Sequence, residues 1–293
     1  MNKTSNKKTL RADLSLILVA VIWGSGFVAT KTGLNHITPL YMLVFRFGIS
    51  TILMSIIFYK RLRKTTFKDF KAGMVIGIFL FLGFAVQTFA LQFTTTSKQA
   101  FITATNVVMV PFLYWIISKK KPSKYDVIGA IICFVGIGIL SFESGFKMNI
   151  GDGLTLLCAV FYALHIVAIG YYAEDHDPIL LTFFQVMWTF ILSLIFAPIF
   201  EPMPSAITKE MAIPIIYLAV FSTTVAFLLQ NTAQKHTSST KAAIILSMES
   251  VFGSLLSFIV LKEPFTIKFF IGCTAILLSI ITTETKWSFI KQA

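Results

Sequence analysis

The sequence predicts an all-α membrane protein with ten transmembrane helices arranged as two inverted five-helix repeats. Three observations lead there: a composition too apolar for a water-soluble chain, ten apolar stretches long enough to cross a bilayer, and two halves that align with one another.

Of 293 residues, 56% are hydrophobic, only 13% are charged and thirty are phenylalanine. The mean hydropathy is +0.81. A soluble domain of this length needs a polar coat, and this chain lacks the residues to make one. The formal charge of +12 does not indicate nucleic acid, because the Lys and Arg residues sit in short segments between apolar stretches rather than along one face. Cys133, Cys158 and Cys273 are isolated within apolar stretches, without metal or redox spacing.

The spans follow in order. Lys3, Lys7, Lys8 and Arg11 precede span 1, Ala12–Thr32. That start resembles a signal peptide, but the apolar run Leu14–Thr30 is too long and has no small-residue cleavage site, so a retained helix is expected. Span 2, Pro39–Tyr59, carries Arg46, and span 3, Phe70–Gln92, carries Gly73 and Gly77 at a spacing that lets helices approach closely. Span 4, Ser97–Ser118, contains Asn106 and Pro111, and span 5, Tyr125–Phe142, contains Gly136 and Gly138. Span 6, Asp152–Tyr172, and span 7, Pro178–Pro198, are followed by the longer link Phe200–Glu210 with Pro202 and Pro204. Span 8, Ala212–Gln230, has Pro214 near its start; span 9, Thr240–Leu261, has Glu249 near its middle; span 10 is Thr266–Thr283. Pro111 and Pro214 are expected to kink spans 4 and 8. The runs are continuous rather than alternating, which indicates helices and not barrel strands.

Flanking Lys and Arg resist translocation, so their distribution sets the orientation. With the N-terminus in the cytoplasm, eighteen fall on the inner side and six on the outer side, leaving Arg46 within a span. Glu174, Asp175 and Asp177 in the link after span 6 are an acidic exception. The expected location is the cytoplasmic (inner) membrane, with both termini cytoplasmic.

Shifted by 139 residues, Asp13 meets Asp152, Trp23 meets Tyr162, Pro39 meets Pro178 and Arg46 meets Gln185. Shifted by 143, Phe84 meets Phe227, Gln87 meets Gln230, Lys98 meets Lys241 and Asn106 meets Glu249. The change of four falls in the link between spans 7 and 8, where an insertion costs little. The repeats are residues 12–142 and 152–283. An odd number of helices per repeat makes the second enter the membrane from the opposite side, so the copies are inverted and a substrate would sit between them near the midplane.

Several segments together resemble one family. They are Val21-Ile22-Trp23-Gly24-Ser25-Gly26-Phe27-Val28-Ala29-Thr30-Lys31, the Pro39 to Arg46 spacing, Gly151-Asp152-Gly153, Met248-Glu249-Ser250-Val251-Phe252 and Leu261-Lys262-Glu263-Pro264. By their order and spacing, from about Ala12 to Thr283, the chain resembles the EamA family of the drug/metabolite transporter superfamily. The resemblance implies export or exchange of amino acids, related metabolites or drugs, through a cavity lined mainly by helices 1, 3, 4, 6, 8 and 9.

Glu249 is the foremost candidate, because a carboxylate at that depth is costly unless paired, hydrated or protonated. It would hold a substrate ammonium or exchange a proton; the competing reading is a fixed ion pair with Arg46. For Arg46 an architectural contact is expected, by snorkelling or to a neighbouring carbonyl, with gating or anion recognition as the alternative. Asn106 should approach Glu249 near the pseudo-twofold axis, or else bond between helices. Gln87 and Gln230, with Asn231, are candidates for symmetric gate contacts near opposite faces, or for helix capping. Trp23 and Tyr162, each followed by a small residue, Gly24 and Ala163, would give an aromatic wall or plain packing. His165 would line the cavity or be a hydrogen-bonded core residue. Gln185 and Trp188 have weaker claims, being on a helix that the family resemblance places outside the cavity.

Catalysis is not indicated: there is no H-E-x-x-H, G-x-S-x-G or Walker A motif, and no cofactor or metal is expected. The competing functions are a channel and a non-transporting membrane protein. The expected partners are a small-molecule substrate, membrane lipid and protons as a coupling ion, without nucleic acid, in a monomer or homodimer.

Overall fold

The computed structural model describes residues 3–118, 121–141, 149–237, 242 and 245–286. The predicted beginning of span 9 at Thr240, the repeat position Lys241, and the end of span 5 at Phe142 lie outside the described residues. Among the described residues the chain is helical throughout, without strands.

The helices are α1 (Lys3–Gly33), α2 (Pro39–Ile57), α3 (Phe67–Ala90), α4a (Thr96–Ala104), α4b (Asn106–Ser118), α5 (Lys124–Ser141), α6 (Ile150–Tyr172), α7 (Pro178–Phe200), α8 (Lys209–Gln234), α9 (Ile245–Leu261) and α10 (Ile267–Thr285). A single helical turn, Tyr59–Leu62, follows α2. Among the described residues, seven segments are long and apolar enough to cross a membrane: those in α1, α2, α3, α4, α6, α7 and α8. Spans 5, 9 and 10 of the sequence reading appear as shorter apolar helices, Val127–Ile139, Ile245–Leu261 and Ile267–Thr282. Large apolar side chains such as Ile199, Phe200 and Phe270 stand exposed around the bundle, a surface that requires hydrocarbon rather than water. The chain is a multi-pass membrane protein.

α3 packs against both α6 and α7, and α1 against α8 and α9. α2 lies between α7 and the middle of α8, α4a touches α6 and α9, and α5 pairs with α10. Gly73 and Gly77 account for the α3–α7 approach as expected: a Cβ on Gly73 would lie 2.1 Å from Cβ of Phe184, and one on Gly77 2.7 Å from Cβ of Trp188. Gly24 plays the same part between α1 and α9, where an added Cβ would be 2.8 Å from the backbone nitrogen of Gly253.

Carboxylates tie helix ends together. Both oxygens of Glu201, just past α7, accept from the backbone N–H of Leu40, and Oε2 also accepts from Tyr41, at the start of α2. Beyond α9, Lys262 adopts a left-handed conformation that ends the helix and Pro264 prevents its resumption. Glu263 is thereby aimed at the start of α4a, accepting from the N–H of Thr96 and from the N–H and hydroxyl of Ser97. Each carboxylate meets the positive end of a helix. These contacts make α2 antiparallel to α7, and α4 antiparallel to α9.

The irregularities of α4 and α8 differ from the expected proline kinks. α4 breaks at Thr105, whose N–H bonds the carbonyl of Ile102 and whose own carbonyl accepts from Val108, both in the tighter i to i+3 pattern. A proline at 111 would free the carbonyl of Val107, so Pro111 does not account for that break. In α8 the backbone widens into a π-helix over Leu218–Val225, one turn beyond Pro214, and the Thr224 hydroxyl donates to the carbonyl of Ala219, five residues back.

Candidate functional site

A cavity of about 70 Å³ lies at the centre of the bundle. α1, α3, α4, α6, α8 and α9 all contribute walls, the set implied by the family resemblance, and α2 adds Arg46. At roughly 15 Å³ per water-sized site it has room for several waters or a small polar group.

One side of the cavity is aromatic. Trp23, Phe27, Phe84, Tyr162 and Phe227 all face it. Phe84 meets Tyr162 and Phe227 edge to face, and the Trp23 indole donates to the carbonyl of Ser222 at 2.9 Å. That carbonyl lies in the π-helical stretch, so the wall is fixed by both packing and a polar contact.

Arg46 enters this wall from α2. Its Nε donates to Thr223 Oγ1 at 2.7 Å, its Nη2 to Ser222 Oγ at 3.1 Å and carbonyl at 3.3 Å, and its guanidinium stands 4.3 Å from the Phe84 ring centre. Arg46 is therefore buried and anchored to α8, the neighbouring-helix contact of the two expected alternatives, and does not snorkel to the outer face. The neighbouring Ser50 and Thr224 hydroxyls also bond to one another.

Glu249 faces the cavity from α9 with 8% of its surface exposed. The expected alternative of a fixed Arg46–Glu249 pair is not formed; among the described residues no hydrogen bond or ion pair holds the Glu249 carboxylate. Asn106, at the start of α4b, lines the same cavity, as its repeat relation to Glu249 anticipates.

Four further residues complete the polar side. Tyr162 donates to Gln87 Oε1 at 2.9 Å, Gln87 Nε2 donates to Thr103, and Gln99 Nε2 donates to the carbonyl of Gln87. Among the described residues, neither amide atom of Gln230, 1% exposed, has a hydrogen-bond partner, and Gln99 Oε1 has none either. Gln87 and Gln230 thus line one cavity, with the Gln87 amide held by Tyr162 and Thr103. His165 also lines the cavity and is held by Gln185 Oε1 at 2.9 Å, so its two readings are both realised.

Two candidates fall elsewhere. Asn231 donates to Thr182 and to the carbonyl of Phe227, joining α8 to α7 outside the cavity. Pro111 lies in α4b away from the central walls. Sequence reasoning missed Thr30, Gln99, Ser222 and Ser247 in the wall and Thr223 beside Arg46; the run Ser222-Thr223-Thr224 within an apolar span was the visible signal for Ser222 and Thr223.

The residue pattern matches the profile of the EamA-like transporter family twice, over residues 10–142 and 149–285. An uncharacterized transporter of Archaeoglobus fulgidus is 40% identical across 95% of this chain and 87% of its own length. The uncharacterized transporter YoaV of Bacillus subtilis is 24% identical across 91% of this chain and 94% of its own. A crystal structure at 15% identity superposes with a TM-score of 0.71, covering 94% of this chain and 96% of the other, which establishes likeness of fold. The chain belongs to the EamA-like transporter family.

Proposed function

We propose that the protein is a secondary active transporter that exports or exchanges a small metabolite bearing an ammonium group, such as an amino acid or an organic cation, across the cytoplasmic membrane by alternating access. Ten helices in two inverted repeats, residues 12–142 and 152–283, would form the carrier, with both termini in the cytoplasm. What supports the inversion is that repeat-equivalent helices α2 and α7, and α4 and α9, run antiparallel where Glu201 and Glu263 tie their ends. Exchanging the repeats also maps the α1–α9 contact onto α6–α4 and the α2–α8 contact onto α7–α3. Such a pair of halves can open to either side by trading conformations.

The observation that carries the reading is Glu249: a buried carboxylate without a partner among the described residues, facing a cavity with an aromatic side. Taking such a charge from water costs several kcal/mol, so a ligand cation or a proton is the natural counterpart. Aromatic faces add attraction for an organic cation. Arg46, within the aromatic wall, offers positive charge for a carboxylate in a zwitterion.

Proteoliposomes loaded with unlabelled amino acids or organic amines provide the test. A carrier accelerates entry of the labelled compound by counterflow and saturates, whereas a channel shows neither. Glu249→Gln is expected to reduce transport by a factor of at least roughly ten, the equivalent of one lost interaction with a charged group, and to abolish its pH dependence. A Glu249→Gln protein with normal rates and an unchanged pH profile would defeat the proposed role of Glu249.

A further inference from the structure

A second cavity, of about 340 Å³, lies between α4b, α5 and α6 and is larger than the central one. On α4 its wall is Thr105, Val108, Met109, Phe112 and Leu113, and on α5 it is Ala130, Cys133, Phe134 and Ile137, both at the spacing of a single helix face. Val160 closes it on α6. Eight residues of rise from Thr105 to Leu113 make the groove about 12 Å long, against about 15 Å for half of a bilayer's hydrocarbon core.

Among the described residues, both polar side chains of the wall are already engaged. The Thr105 hydroxyl donates to the carbonyl of Ile102 at 2.6 Å, and the Cys133 thiol is paired with Ser279. A water here would lack the two to four partners that hold buried water, while an apolar void of this size departs from the dense packing of protein interiors. At the rim Phe134 is 66% exposed and its neighbour Ile131 61%. The groove therefore opens onto the apolar surface that meets the bilayer. Helix α4 separates it from the central cavity: Thr105 lines one and Asn106, the next residue, lines the other.

We propose that this groove binds one acyl chain of a membrane lipid, seated against the broken helix that carries Asn106. The occupant is argued from the apolar wall, the length of the groove and its opening toward hydrocarbon, and is independent of the substrate proposed for the central cavity.

The full-length chain is reconstituted into vesicles of phosphatidylethanolamine and phosphatidylglycerol that contain a small fraction of phosphatidylcholine carrying a diazirine in mid-chain. After irradiation, adducts are mapped on peptides by mass spectrometry. Met109 and Phe112 are expected to carry adducts roughly five-fold or more above the exposed Ile116 and Ile131, because a bound chain stays while bulk lipid exchanges. Ala130→Trp and Leu113→Trp each fill the groove and should bring Met109 down to the level of Ile131, without changing labelling at Ile116. If either variant fails to fold, the ratio within the wild-type protein decides alone. Equal labelling of groove and exposed positions, or labelling at Met109 that persists in folded filled variants, overturns the proposal. So does efficient disulfide-linked dimerisation of Phe134→Cys with Met109 unlabelled, which would assign the groove to a second copy of the chain.

Discussion

Replacing Gly73 by alanine places a methyl group 2.1 Å from Cβ of Phe184 and 3.1 Å from its backbone Cα and carbonyl carbon. A flexible side chain could swing away, but these atoms belong to the body of α7. Restoring ordinary contact at about 3.4 Å from 2.1 Å requires α3 and α7 to part by about 1.3 Å along that line. A gap of even 0.5–1 Å forfeits a quarter to a half of each dispersion contact across it. The contacts at risk surround Ala72, Ile76 and Leu181 on one flank and Phe70 and Phe184 on the other. The expected destabilisation is therefore at the upper end of the overpacking range, about 3 kcal/mol, a fall in melting temperature of roughly 5–10 °C. Gly24→Ala, which meets Gly253 N and Phe252 Cβ at 2.8 Å, should cost about 1–2 kcal/mol. Gly253→Ala, whose nearest neighbours lie at 3.3–3.4 Å, should stay within about 0.5 kcal/mol of the parent. Thermal unfolding of the detergent-solubilised proteins, followed by loss of the monodisperse chromatographic peak, measures the order. Equal melting temperatures for Gly73→Ala and Gly253→Ala would show that close backbone approach does not hold this bundle together.

Two other substitutions test the polar contacts. Arg46→Lys keeps the charge but cannot reproduce the fork that reaches Thr223 and Ser222 together, so a loss of about 2 kcal/mol is expected in the same unfolding assay; a protein as stable as the parent would make the anchor dispensable. Glu263→Ala removes the acceptor for three donors at the start of α4a and should cost about 1–2 kcal/mol, with faster hydrogen exchange at Thr96 and Ser97. Unchanged exchange there would remove Glu263 from its capping role.

Much of the architecture was legible because the bilayer asks one-dimensional questions. Span length and hydropathy can be read along the chain, so the apolar helices stand near their expected places, and the glycine spacing in α3 correctly marked a close approach. The helix 4 break was less legible: Pro111 drew attention, yet the tightened turn at Thr105 depends on local hydrogen bonding that a proline rule does not contain. In the cavity, Asn106 and Glu249, and Trp23 and Tyr162, were found because a polar or aromatic side chain at matched depths in both halves is conspicuous, and His165 because it is a histidine within an apolar span. Asn231, only one residue beyond Gln230, was misplaced because that step rotates a side chain by about 100° around a helix, from the cavity to α7.

The sequence by itself determined that this chain lives in a membrane, that its halves resemble each other and that Glu249 is an expensive residue at its depth, since each follows from residue type and order. Only the tertiary structure decided which polar groups satisfy one another. Arg46 found Ser222 and Thr223 across 176 and 177 residues of sequence, and so left Glu249 without it. Hydrogen bonds reach about 3 Å, and helix rotation and packing select which side chains come that near; neither is fixed by the order of residues along a span.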